Sequence, residues 1–222
     1  MLITPKFKID NKPQDYEKSV AFMQDYVAKM IAGEEQSLVW ITSHLPIYTA
    51  GVSAKDEDLL AKSDIPVFKT NRGGQYTYHD AGMRIIYPMI DLKKLFYPQK
   101  PDVSKFVLFL EGWIIDILAH FQIKGEIRKD RVGIWVKTAD GSEKKIAAIG
   151  IKLKKWISYH GIAINLNPNL AAFENIIPCG IKEFGVTSMQ DLGVKVNNEE
   201  MDEVIKSSFD KILQKRRKIF EN

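Results

Sequence analysis

The chain has 222 residues, 45% of them hydrophobic and 27% charged, with 14 glycines and 9 prolines. That composition excludes collagen-like, disulfide-scaffold and disordered classes, and a chain this long buries roughly 70% of the surface its unfolded form exposes without a disulfide or metal staple. One cysteine can neither close an internal disulfide nor build a multi-cysteine zinc or iron–sulfur site, and 32 basic against 28 acidic side chains leave a net charge of only +4.

The N-terminal MLITPKFKIDNKPQ has no continuous apolar core of secretory length, so a cytoplasmic protein is expected. Asn11 and Pro13 open a helix whose Tyr16, Val20, Met23, Val27, Met30 and Ile31 recur at helical spacing, and Gly33 closes it. Ser37–Thr42 is β-rich, Pro46–Gly51 is a short strand ending in a turn, and Asp56–Ala61 is a helical turn. Pro66–Thr70 is a strand that leads into Asn71-Arg72-Gly73-Gly74, and Met83–Tyr87 is a strand stopped by Pro88. The most apolar stretch, Phe106–Phe121, is interrupted by Glu111, Asp116 and His120 and is shorter than a membrane span. It predicts a buried helix from about Val103 to Gln122 and no membrane partner.

Strands resume at Glu126–Arg128 and Val132–Lys137 across the turn-like Lys129-Asp130-Arg131. Asp140-Gly141 is a hairpin signal that separates Gly133–Lys137 from Lys145–Leu153. Tyr159–Leu166 is a further strand, Asn169–Asn175 a short helix, Pro178-Cys179-Gly180 a turn, and Glu199–Phe220 an amphipathic helix. The run Lys215-Arg216-Arg217-Lys218 suits a solvated helix end that complements the macrodipole better than a nucleic-acid patch. With no repeat, low-complexity segment or linker, and no regular β-α-β alternation, the pattern predicts one α+β domain over residues 1–222.

Four stretches can carry chemistry. In Arg72-Gly73-Gly74-Gln75-Tyr76-Thr77-Tyr78-His79, two glycines after a strand let the backbone approach a ligand, Arg72 can grip an anion, and His79 can move protons. The bland counterpart is a tight turn with an exposed Arg and a packed His. Lys145–Leu153 alternates with period two, so Lys145 belongs with the apolar Ala147, Ile149, Ile151 and Leu153 unless a bulge breaks the parity. An inward lysine needs a partner or a function, or else it snorkels from the strand's first position. In His160-Gly161-Ile162-Ala163-Ile164-Asn165, Gly161 and Ala163 leave space on one strand face for a ligand or for a close-packed helix. Cys179 is either an inert core thiol or a nucleophile, and a nucleophile requires a cation or base beside it.

Taken together and in this order, HLPIYTAG at 44–51, RGGQYTYH at 72–79, KIAAIG at 145–150, HGIAIN at 160–165 and IIPCGI at 176–181 resemble the lipoyl(octanoyl) transferase family, over about residues 38–189. The resemblance implies a mixed β-sheet packed with helices, as in biotin and lipoate protein ligases. It also implies a two-step acyl transfer from octanoyl-acyl carrier protein to a lysine of apo lipoyl domains, those of 2-oxoacid dehydrogenase complexes and the glycine cleavage H protein. Carried over, the nucleophile is Cys179 and the lysine that favours its thiolate and moves protons is Lys145. The substrate-binding stretches are Arg72–His79 (Arg72, Gly73, Gly74, Gln75, Tyr76, Thr77, Tyr78, His79), Ala148-Ile149-Gly150 and His160-Gly161-Ile162-Ala163. No metal, nucleotide or redox cofactor is implied. Where the family reads HGPGQ, this chain has His79-Asp80-Ala81-Gly82-Met83, and Asp80 is expected to set a carboxylate near the acyl site. Two rivals follow from the same text: an ATP-dependent lipoate or biotin protein ligase, and an acyl-binding relative without catalysis.

Overall fold

The computed structural model describes residues 4–61, 63–177 and 184–221, with the side chains of 216–219 and 221 left out. The expected Pro178-Cys179-Gly180 turn therefore lies outside the described residues.

All five residues of Leu38–Thr42 (β2) are buried, and they divide by parity. Val39 and Ile41 enter one apolar core, Leu38 and Trp40 the other. Met83–Met89 (β6) repeats the division, with Ile86 on the first side and Met83, Ile85, Tyr87 and Met89 on the second. A strand buried on both faces must sit mid-sheet between two covering layers. The remaining members are Lys6–Ile9 (β1), Glu126–Arg128 (β7), Arg131–Lys137 (β8), Glu143–Lys154 (β9) and Ile157–Asn165 (β10), and the order is β1-β2-β6-β10-β9-β8-β7. Only β1–β2 is parallel along this path, and the two-residue Gly185–Val186 (β11) adds in parallel to β9.

The first face is covered by Leu92–Phe96 (α2), Val103–His120 (α3) and Asn198–Glu221 (α4). The second is covered by Tyr16–Ala32 (α1) and a small sheet. That sheet comprises Ile47–Ala50 (β3), Val67–Lys69 (β4) and Tyr76–His79 (β5), ordered β4-β3-β5.

Several expectations shift. α1 begins not at Asn11 but after Asp15, whose carboxylate accepts the Lys18 N–H at 2.9 Å. Gly33 closes it as expected, in the left-handed region at φ 82°. β6 runs through Pro88 instead of stopping there, because its ladder with β10 has already ended at Ile86↔Ile162. Ser158 takes over, its hydroxyl donating to Pro88 O and accepting the Ile90 N–H. The turns at Asp56–Asp58 and Leu170–Asn175 are 3₁₀. β1, β5 and α2 were not legible as elements.

Candidate active site

Lys145 owes its position to a defect in pairing. Along β8 and β9 the register reads Ile134↔Ala147 and then Trp135↔Lys145, so one extra residue is inserted in β9. Ile146 and Ala147 both pack toward the helices, and the parity flips. Lys145 thus leaves the face of Ala147, Ile149 and Ile151 and joins that of Ala148. It is the bulge, not the alternation, that decides. There Lys145 lines a small cavity with Thr77, Met83, Ala148, Asn165, Phe173 and Val186. Its side chain is buried, and among the described residues its ammonium has neither a hydrogen-bond nor an ion-pair partner. It lies 4.7 Å from the centre of the Trp135 ring.

Thr77 and Ala148 are shared with a second, larger cavity, so the two adjoin. Its floor is β9 and β10, where Gly150 pairs with Gly161 and Ala148 with Ala163. Ile149 and Ile162 pair with each other between these, and their side chains belong to the helix-side core, so they offer the cavity only backbone. Gly161 is small because β6 crowds it: a Cβ there would stand 2.1 Å from Ile86 O. Both earlier readings of the small pair therefore hold in part, since α1 packs over β10 while Gly161 and Ala163 also line the cavity.

The roof is the loop 71–75 with β5. Arg72 is spent on holding that roof: its Nη2 donates to Thr49 O at 2.7 Å and Gln75 O at 2.8 Å, and its Nη1 to Gly73 O at 3.0 Å. The buried guanidinium shapes the loop from within, and its carbon stem covers Gly150.

Two histidines, His79 and His160, line the cavity, and His44 packs behind them against His79 and Tyr87. His44 Nδ1 donates to Gln14 O at 3.0 Å; since a carbonyl only accepts, Nε2 is left to accept the Tyr87 hydroxyl at 2.6 Å. Burial lowers its pKa to about 4, and that of His160 to about 3. His79 is driven well below the ordinary value, by burial first and then by His44, Arg72 and His160. Burial also raises the Tyr16 and Tyr87 phenols. The cavity wall is therefore uncharged near neutral pH apart from Arg72. His160 reaches it through left-handed backbone at φ 56°, a conformation costly for a side-chain-bearing residue, and its Nε2 meets Asn71 Oδ1 at 3.2 Å. Among the described residues no group of three His, Cys, Asp or Glu side chains could hold a metal ion.

This chain has relatives of known family and fold. Residues 15–210 match the model of the lipoyl protein ligase A/B catalytic domain. An octanoyltransferase of Wolbachia pipientis is 50% identical over 204 residues, covering 92% of this chain and 97% of that one. One from Ehrlichia chaffeensis is 44% identical, covering 93% and 95%. The chain belongs to the lipoyl(octanoyl) transferase family. Solved structures supply the fold at lower identity. A lipoate-protein ligase A bound with ATP superposes with a TM-score of 0.73 at 14% identity, covering 99% of this chain and 93% of that one. The bi-partite lipoate protein ligase of Thermoplasma acidophilum gives 0.70 at 13% identity, covering 99% and 91%.

Within this octanoyltransferase, the motif residues fall unevenly around the cleft. Arg72, Gly74–Thr77, His79, Ala148–Gly150 and His160–Ala163 line the larger cavity, whereas Gly73 and Tyr78 do not. Gly73 N–H donates to Ile151 O, and the Tyr78 ring lies in the core with its hydroxyl on Asp80. The departure at Asp80 is also accounted for. Its carboxylate accepts the Gly82 N–H and the Asn169 N–H, each at 2.8 Å, so it ties a turn together and is absent from the cavity wall. Sequence reasoning missed Tyr16, Tyr87 and Trp135, which carry ordinary core periodicity and give no local sign of a site.

Proposed function

We propose that the protein takes an octanoyl group from octanoyl-acyl carrier protein onto Cys179 and passes it to a lysine of apo lipoyl domains, including those of 2-oxoacid dehydrogenase complexes and the glycine cleavage H protein. This is the first step of endogenous lipoate synthesis. The observation that carries the reading is Lys145, a buried ammonium turned into an apolar cleft with no anion beside it among the described residues. The chain has one thiol, and the strand that follows it, β11, pairs with β9 at Lys144 and Lys145. The family's identity of about half over nearly the whole chain supports the same assignment.

The chemistry then follows from charge. An ammonium beside a thiol favours the thiolate, which attacks the incoming thioester carbonyl. As the tetrahedral intermediate collapses, the carrier's sulfur leaves and takes a proton from Lys145. In the second half, the acceptor amine attacks the Cys179 thioester, gives its proton to the now neutral Lys145, and the Cys179 thiolate leaves. Thioester exchange is nearly balanced and thioester to amide runs downhill, so neither half needs a nucleotide. The acyl chain lies along Thr77, Ala148, Gly150 and Ala163, where burying its seven carbons beyond the carbonyl contributes roughly 5–6 kcal/mol at about 0.8 per carbon. A free thiol also suits the reducing cytoplasm.

Intact-mass measurement after mixing with octanoyl-acyl carrier protein tests this. One octanoyl adduct is expected on the wild type, none on Cys179→Ala, and the adduct should move to an apo lipoyl domain without ATP. An unlabelled wild-type protein, or transfer that waits for ATP, overturns the reading.

A further inference from the structure

The geometry points to Trp135 as a positioning residue that holds the Lys145 ammonium in the cleft by its indole face, on a β9 bulge kept open by Gly133. This rests on the acyl-transfer reading above and deepens it. Lys145 and Trp135 are cross-strand partners immediately beside the inserted residue, so their side chains leave the sheet on the same face. The ammonium stands 4.7 Å from the ring centre, within the range where the ring's negative face attracts a cation. A carboxylate in that place would hold the lysine more tightly, but it would also compete with a thiolate for the charge. An indole holds the cation without a full negative charge, so N–H donors remain for sulfur and substrate.

Trp135 is itself held. Its Nε1 donates to Arg131 O at 3.2 Å, and the Arg131 guanidinium carbon lies 4.4 Å from its ring and 3.7 Å from that of Phe184. Arg131 in turn donates to Glu143 at 2.8 Å. The charged groups on the elements packed about Lys145 are Arg131 on β8, Glu143 and Lys144 on β9, and Glu111 on α3, and neither carboxylate pairs with the lysine: Glu143 is taken by Arg128 and Arg131. Glu111 is buried behind the sheet and accepts the Gly133 N–H at 3.3 Å. Gly133 sits at φ 113°, and a Cβ there would lie 2.6 Å from Ala147 O and 3.5 Å from the Lys145 Cε. The positive φ and the close approach to Ala147 O make glycine the residue this bulge requires, and the Lys145 stem runs alongside it in van der Waals contact.

The test reads the alkylation rate of Cys179 by iodoacetamide against pH. Site-specific fluorinated tryptophans at position 135 withdraw charge from the ring face while keeping its shape and core packing. With rising fluorine number, the alkylation curve should move stepwise toward higher pH. Trp135→Leu should move it by about one pH unit, roughly a tenfold loss of thiolate at neutral pH. Lys145→Ala should move it as far, and Trp135→Leu with Lys145→Ala should add nothing to Lys145→Ala alone. A curve that shifts in Lys145→Ala but stays fixed through the fluorinated series overturns the role of Trp135 and leaves the cysteine–lysine pair standing. A curve unmoved by Lys145→Ala overturns the pair, and the positioning role with it. The fluorinated series decides the matter even if Trp135→Leu fails to fold.

Discussion

A buried ammonium is expensive wherever it sits, because desolvation penalises the charged form and an indole face restores only part of what water supplied. Lys145 is therefore a residue at which function and stability should pull in opposite directions. Lys145→Met keeps the unbranched stem that passes Gly133 and removes the charge from the pocket formed with Met83, Phe173 and Val186. We expect this variant to gain about 1 kcal/mol or more in urea unfolding, in line with replacements of buried charge by apolar side chains, while octanoyl transfer falls to background. A variant less stable than the wild type would mean that the ammonium's contact with Trp135, together with the proposed pairing with Cys179, outweighs the cost of burying it. The sequence told half of this. Inward lysine at a strand start was legible from alternation, but the inserted residue that reverses its face was not, since a bulge is a property of two strands and Ile134–Trp135 lies remote from Lys145 in the chain.

At the scale of elements, hydrophobic periodicity located most of the strands and the three long helices, because each buries a whole stripe or both faces. It failed where an element is short or owes its form to a neighbour. β1 alternates lysines with Phe7 and Ile9 at the sheet edge, and β5 follows a glycine loop that Arg72 holds in place from inside. The function of α4 was equally hidden, and the structure answers it: Met201, Val204, Ile205, Phe209, Ile212 and Leu213 complete the helix-side core, and Asp202 grips Arg84 of β6. Both partners are buried and the contact is bidentate, at 2.7 Å from Nε and 2.6 Å from Nη2. Asp202→Ala leaves a guanidinium in the core with only the Asp10 carbonyl to accept from it, and should cost about 3–5 kcal/mol in urea unfolding. Arg84→Met combined with Asp202→Leu should recover most of that loss. Transfer activity per folded molecule should stay near wild type, because Arg84 points to the helix side and the cleft lies on the other. If the double variant is no better than Asp202→Ala, the pair is not what joins α4 to the sheet.

For the molecule as a whole, the buried histidines in and behind the cavity wall set an acid limit. His44, His79 and His160 are all held neutral by burial, with His44 at about 4 and His160 at about 3, whereas unfolded histidine titrates near about 6.5. Above that value neither state carries the protons and the histidines confer no pH dependence. As pH falls below it, the unfolded chain takes up three protons that the folded chain refuses, and stability is lost progressively until the folded values are reached. Each histidine withdraws about 1.4 kcal/mol per pH unit well inside this window, so three together withdraw roughly 4. A domain with a typical reserve of about 5–15 kcal/mol should then unfold before its histidines charge in place. The carboxylates cannot mimic this. Asp140 and Glu143 are held at about 2 by hydrogen bonds, from Thr138 and from Arg128 first, so their contribution is lost only as pH falls from about 5 through the ordinary carboxylate range, well below the onset set by the histidines. Urea unfolding measured from pH 7.5 to 4.5 should show stability falling steeply below about 6.5, and His160→Gln should reduce the slope by about a third. A stability profile that is flat across that interval would mean the folded protein accepts those protons, and the neutral cavity wall described above would have to be abandoned.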